Sequence, residues 1–268
     1  NLFFVIVCHL AEAGVALASA ISQWLSAGLV LFFLHRVHDS YGLNLRGVRF
    51  HASKVRLILP LGLSAAAQNA IFATANLFIQ SGVNTFDAVI VEGTAAAANA
   101  DSLVYDVMAA IYTACSSFMS QNYGAGKRKR MLHSYLVALG YSLGIGLIFG
   151  ISLALFGRGF LRIFATDADV IEAGLVRLQL MGFCYGFSAF MDCTIAASRG
   201  LGKSIIPTII VVLGSCVFRV AWVYTIFAYF NTIMSLYLVY IFSWTLTAIA
   251  EIIYFIHIYR GIAKRLGA

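Results

Sequence analysis

The sequence predicts an all-α polytopic membrane protein of about seven transmembrane helices. Of its 268 residues, 61% are hydrophobic and only 11% charged, more apolar than the roughly 45–50% of soluble domains. The apolar residues are grouped into runs long enough for a hydrocarbon core, which takes about 20 helical residues. The Lys and Arg residues gather in every second loop between those runs. The composition argues against a soluble enzyme. The run lengths argue against a β-barrel, whose strands alternate over only about ten residues.

Seven runs can be marked, at residues 2–34, 57–83, 89–119, 134–156, 173–197, 205–229 and 233–258. The first lacks a basic flank and is too long for a cleaved signal, so it is read as a membrane helix. Because it begins directly after Asn1, the sequence is expected to be a piece of something longer. The longest polar stretch, residues 36–56 with Asp39, Ser40, Gly42, Asn44 and Gly47, reads as a linker between two units. The expected organisation is therefore a helix over 1–35, a cytoplasmic linker over 36–56 and a six-helix lobe over 57–268. Pro60 and Pro207 each lie near the start of a run, where a missing N–H costs least. Thr166-Asp167-Ala168-Asp169 has the form of a helix start and is expected to cap the fifth helix. Gly140-x-x-x-Gly144, Gly146-x-x-x-Gly150 and Gly182-x-x-x-Gly186 permit close helix approach.

Orientation follows from the basic residues. Fourteen of the eighteen Lys and Arg fall in the loops around residues 35–56, 120–133 and 198–204 or in the C-terminal tail. Arg158, Arg162 and Arg177 are assigned to the opposite loops, and Arg219 lies within a run. By the positive-inside rule the basic loops and the C-terminus are cytoplasmic and the chain is multi-pass in the cell membrane. The net charge of +7 then reflects orientation, and no nucleic-acid partner is expected. The five cysteines lie in apolar runs without C-x-x-C spacing, so neither a disulfide framework nor a metal site is indicated. No cofactor is expected.

Polar groups inside membrane helices are costly and call for an account. On the second helix Asn69, Asn76 and Gln80 fall within roughly 40° of one another, with Gln68 adjoining. On the third, Thr94, Asp101, Tyr105 and Tyr112 share one line, and Asn99, Ser102, Asp106 and Thr113 the next. Helix five aligns Tyr185, Ser188 and Asp192; helix six aligns Thr208, Ser215, Arg219 and Trp222; helix seven aligns Tyr240, Trp244, Thr247 and Glu251. Five polar faces escape lipid by converging on a wet cavity, as substrate or proton pathways do. Asp101, near mid-helix, is the first candidate for function and Asp192 the second. Arg219 is read as a counter-ion to one of them or as a gating or substrate residue. Glu251 is placed close enough to the inner surface to be solvated.

Chemistry of other classes is not matched. Gln121-Asn122-Tyr123-Gly124-Ala125-Gly126-Lys127-Arg128 fails the phosphate-loop pattern at both ends. Tyr105-Asp106 has the form of the first motif of intramembrane aspartyl proteases, but Gly200-Leu201-Gly202-Lys203 carries lysine where the second acid belongs, and that chemistry needs two carboxylates. The chain is therefore not read as an enzyme.

The run Gln121 to Lys127 after Ser116-Ser117-Phe118, and Arg199-Gly200-Leu201-Gly202-Lys203-Ser204 followed by Pro207, resemble signatures of the multidrug and toxic compound extrusion (MATE) transporters. Leu59-Pro60-Leu61-Gly62, Ile79-Gln80-Ser81 with Asn84, and Arg219 with Trp222 extend the resemblance over residues 57–260. It implies two six-helix lobes that alternate access while exchanging an organic cation for protons or sodium. The first helix resembles the last of an N-terminal lobe, and the rest a C-terminal lobe, so about five further helices are expected from a missing N-terminal lobe. Some relatives carry a carboxylate on the helix opening the C-terminal lobe. This sequence has Gln68 and Asn69 there and no Asp or Glu over 57–83, which argues against sodium at that place. The expected site is Asp101, Tyr105, Asp192, Arg219, Gln68, Asn69, Asn76, Gln80 and Asn99, with Asp101 first for proton coupling. The alternatives are a flippase for lipid-linked precursors, which should show a more basic cavity, and a non-transporting structural half.

Overall fold

In a computed structural model the described residues are 3–4, 9, 11–37 and 49–266. They form seven helices long and apolar enough to span a membrane, and among them there is no strand. The predicted linker residues Asp39, Ser40, Gly42, Asn44 and Gly47, and Cys8, lie outside the described residues.

The chain forms two compact units, residues 1–56 and 57–268. The first contains helix α1 (Ala11–Arg36). At about 1.5 Å per residue its 26 residues outreach a hydrocarbon core of about 30 Å. Its apolar side chains are largely exposed, Trp24 at 80%, and the Arg36 guanidinium stands 4.6 Å over the Phe32 ring near its end.

The second unit begins within α2 (Ala52–Val83) and continues through α3 (Ala88–Gly124), α4 (Arg128–Leu161), α5 (Ala168–Gly200), α6 (Ile205–Phe230) and α7 (Ile233–Leu266). Most of these helices overrun the predicted apolar segments. α4 begins at Arg128 rather than 134 and α7 ends at Leu266 rather than 258, because Arg and Lys are good helix formers and the helix does not stop where hydrophobicity does. The turn between α3 and α4 uses Gly126 at φ +67° and that between α5 and α6 uses Gly202 at φ +74°, left-handed positions that glycine takes without steric cost. The start of α5 departs from expectation. Asp167, not Thr166, is the cap, accepting a 2.9 Å hydrogen bond from the Asp169 amide.

α5 is the central helix, buried over most of its length and packed on α3, α4 and α7. Its glycines set how close the neighbours come. A Cβ on Gly150 of α4 would lie 2.0 Å from the Gly182 carbonyl oxygen, and one on Gly93 of α3 2.7 Å from the Gly174 nitrogen. The predicted Gly146/Gly150 and Gly182/Gly186 pairs thus sit in a helix contact, whereas Gly140 and Gly144 have no such neighbour within 4 Å. α6 is α-helical at both ends but widens into π-helical turns at Val212–Val217 and Val223–Phe227. Such turns re-phase the face a helix presents, and here they bracket Arg219 and Trp222, both buried.

Candidate functional site

Five helices of the second unit, α2, α3, α5, α6 and α7, wall a cavity of about 560 Å³. α4 supplies none of its lining, because α5 shields it. The wall is aromatic at Phe72, Tyr105, Tyr112, Tyr240 and Trp244, and charged at Asp101, Asp106, Asp192, Arg177 and Arg219.

Apart from Asp106 of α3, which forms no ion pair among the described residues, the charges fall into two sets. Arg177 of α5 donates through Nη2 to Asp101 Oδ2 of α3 at 2.5 Å, and Tyr185, two turns on along α5, donates to Asp101 Oδ1. Both partners of the ion pair are largely buried, their side chains 8% and 14% exposed. Arg177 also faces the rings of Tyr237 and Tyr240 at 5.3 and 5.6 Å. This corrects one sequence reading and narrows another. Arg177, assigned to a loop, lies inside the membrane helix, and of the two acids left open as partners of Arg219, Asp101 is paired with Arg177 instead. The signal was available, since Arg177 precedes Ser188 by eleven residues, about three helical turns, and so shares its face.

The second set has no internal pairing. Arg219 is 1% exposed, donating to Asn76 Oδ1 at 3.1 Å and Ser243 Oγ at 3.3 Å. It stands 4.8, 5.0 and 5.9 Å from the Tyr240, Phe72 and Trp244 rings, and among the described residues its Nη2 has no hydrogen-bond partner. Aromatic faces stabilise a desolvated guanidinium by about 2 kcal/mol each at best, so the rings and two neutral acceptors carry a charge that no carboxylate pairs with directly. Asp192 of α5 lines the same cavity. Among the described residues it forms no ion pair and no hydrogen bond. Tyr105 is edge-on to both Tyr185 and Trp244, with centroids 6.0 Å apart in each case.

Of the nine residues expected from sequence, Asp101, Tyr105, Asp192, Arg219, Asn76 and Gln80 line the cavity, and Gln68, Asn69 and Asn99 do not. Asn69 is exposed. Asn99 donates to the Ala95 and Ala96 carbonyls of its own helix at 3.2 Å and faces a different groove. Gln68 is buried near the end of the lobe that carries the basic loops, accepting from Arg199 at 2.6 Å and Thr208 at 3.4 Å. Helical phase alone placed all three on a polar face; neighbouring helices decide which part of that face is enclosed. Glu251, read as solvated, is 0% exposed, because α7 continues about four turns beyond it.

The profile of the MatE family matches residues 60–225. The chain belongs to the MatE family. A probable multidrug resistance protein NorM of Thermotoga maritima is 23% identical over 227 residues, covering 81% of this chain and 47% of the relative. An FAD transporter of Shewanella oneidensis is 29% identical over 177 residues, covering 65% of this chain and 38% of the relative. The chain therefore spans less than half the length of these curated relatives. A solved structure described as the outward-facing conformation of a multidrug resistance MATE family transporter superposes with a TM-score of 0.87 at 19% identity. It covers 98% of this chain and 59% of that one. This MatE chain is a multi-pass membrane protein with that family's helical fold.

Proposed function

We propose that this MatE chain forms one wall of the substrate cavity of a secondary transporter that expels organic cations from the cell in exchange for protons. The observation that carries the reading is the unpaired carboxylate of Asp192 facing an aromatic cavity of about 560 Å³, a combination that holds a lipophilic cation by charge and by ring faces. The chain is a transporter component rather than an enzyme. Its partners are the organic cation, protons, the lipid bilayer and an N-terminal lobe closing the other side of the cavity. The basic loops and the C-terminus face the cytoplasm.

The coupling carboxylate in this reading is Asp192. Asp101, first by sequence position, already has two donors, and a cation arriving there would have to displace Arg177. At Asp192 cation and proton compete for one group: the ionised carboxylate attracts the cation, and a proton arriving from outside neutralises it and releases the cation outward. Protons are preferred over sodium because no Asp or Glu stands on the 57–83 segment of α2 to add an oxygen ligand.

The test is energised accumulation of a fluorescent organic cation in inverted vesicles containing the full transporter. Asp192→Asn is expected to lower the initial rate at least about tenfold, the factor corresponding to about 1.4 kcal/mol of lost cation stabilisation. A rate equal to wild type under the same pH gradient would sink the assignment.

Arg219 favours a second reading. It lines the cavity and has an unpartnered Nη2, and its charge attracts anions, as an anionic or zwitterionic substrate, including a lipid-linked phosphate, would require. The relative described as an FAD transporter is in keeping with such a substrate. The same vesicles would then respond to an anionic competitor and not to the cation.

A further inference from the structure

Outside the cavity, on the same helix that supplies Tyr240 and Trp244, lies a carboxyl that the proposed exchange does not use. Glu251 of α7 is 0% exposed, and among the described residues neither Oε1 nor Oε2 has a hydrogen-bond partner. Buried polar groups are ordinarily satisfied. An ionised carboxylate without a single hydrogen bond is far costlier in such a place than the neutral acid, so the arrangement is that of a carboxyl holding its own proton.

Glu251 also stands at the end of a row. Ser243, Thr247 and Glu251 follow one another at intervals of four on one face of α7, and all three are fully buried. Arg219 donates to Ser243 Oγ at 3.3 Å, Thr247 Oγ1 donates to the Ser243 carbonyl at 2.6 Å, and Ser215 Oγ of α6 lies 2.9 Å from Thr247 Oγ1. Gly214 makes that meeting of α6 and α7 possible, since a Cβ there would lie 2.6 Å from Thr247 Oγ1. Ser243 Oγ itself donates to the Tyr240 carbonyl at 3.2 Å, and Glu251 follows Thr247 by one turn, a rise of about 6 Å.

The charged and titratable groups within electrostatic reach of Glu251 are Arg199, near the end of α5, and Tyr254 of α7 itself. Arg199 in turn is influenced by Asp192 and Tyr112 as well as Glu251. Its Nη2 is bound to Gln68 of α2 at 2.6 Å, while its buried Nε has no partner among the described residues.

We propose that Glu251 is a second proton-carrying site, standing one turn beyond the Ser215–Thr247 hydroxyl pair where α6 meets α7. The ligand is a proton rather than a metal ion, because among the described residues no group of His, Cys, Asp or Glu stands around Glu251 that could hold a metal. Glu251 gives its proton to water at the basic end and is then reprotonated from the cavity side, so that one O–H bond is broken and re-formed and no other bond is made or broken. The carboxylate so formed draws Arg199 from Gln68, which loosens a tie between α5 and α2. This inference rests on the proton-coupled reading of the cavity.

The experiment uses the full transporter in liposomes, with an internal pH dye and a fluorescent cation followed together. Glu251→Gln is expected to keep cation binding and cation–cation exchange while losing at least tenfold in pH-driven accumulation and in cation-coupled proton flux. Glu251→Asp should restore part of both. In pH-difference infrared spectra the carbonyl band of a protonated carboxyl should be lost in Glu251→Gln. Wild-type coupled flux in Glu251→Gln, with that band unchanged, overturns the inference and leaves the cavity reading intact. If the unsubstituted transporter moves no protons with the cation, the coupling reading fails and this inference falls with it.

Discussion

Asp101 and Arg177, seventy-six residues apart in sequence, meet at 2.5 Å inside the membrane unit and tie α3 to α5 across the cavity wall. The pair determines what each nearby acid can do. With Arg177 on one oxygen and Tyr185 on the other, Asp101 is engaged on both sides, whereas Asp192 and Asp106 line the cavity with no ion pair among the described residues.

Breaking the pair from one side strands the other charge. Asp101→Asn is expected to destabilise the protein by about 3–5 kcal/mol, the usual cost of orphaning one partner of a buried pair. The double variant Asp101→Asn, Arg177→Met should recover much of that loss. Thermal unfolding in detergent of the two single variants and the double variant checks this; a double variant no more stable than the singles would mean that the charges do not interact.

Binding of a lipophilic cation should strengthen as pH rises. The sign follows from competition: at low pH the proton occupies Asp192 and the cation is excluded, and at high pH the carboxylate is free. Equilibrium dye binding across a pH series should rise in the wild type and stay flat in Asp192→Asn. A slope that survives the substitution would assign the dependence to another group.

The Arg219 charge opposes the ligand in the cation reading and attracts it in the anion reading. Arg219→Gln should tighten binding of an organic cation several-fold, because a buried like charge is removed while a side chain that can still meet Asn76 and Ser243 remains. An anionic ligand should respond in the opposite direction and lose about tenfold or more, the scale of a lost charge-assisted hydrogen bond. Titrating one ligand of each sign against the same variant distinguishes the two readings of the cavity.

The α4–α5 contact tolerates no side chain at its closest point. Gly150→Ala places a methyl 2.0 Å from the Gly182 carbonyl oxygen, backbone that cannot move aside, and should cost about 1–3 kcal/mol through forced separation of the helices. Gly140→Ala, with no such neighbour within 4 Å, should instead be neutral or stabilising by up to about 1 kcal/mol, from helix propensity alone. Melting temperatures of the two variants side by side test the contrast, and equal shifts would remove its basis.

The number of spans, their order and the polarity of their faces were legible in the residues, because hydrophobic run length and helical period are local properties. The same local rules brought six of the nine expected residues to the cavity, including Asp192 and Arg219. They failed where an outcome depended on a second helix. Gln68, Asn69 and Asn99 sit in the right phase along their helices, yet neighbours enclose Gln68 elsewhere and leave Asn69 and Asn99 exposed. Arg177 looked like a loop cation because the apolar run begins only a few residues before it; packing against α3 made it the partner of Asp101. Glu251 looked solvated because it is near the end of an apolar run, and the helix continuing past it made it the most deeply buried acid of the described residues. Sequence by itself determined the fold class and family, since both follow from patterns along one chain. Only the tertiary structure decided which charges are paired and which are open to a ligand, because pairing depends on distances of a few ångströms between helices that a periodic pattern does not encode.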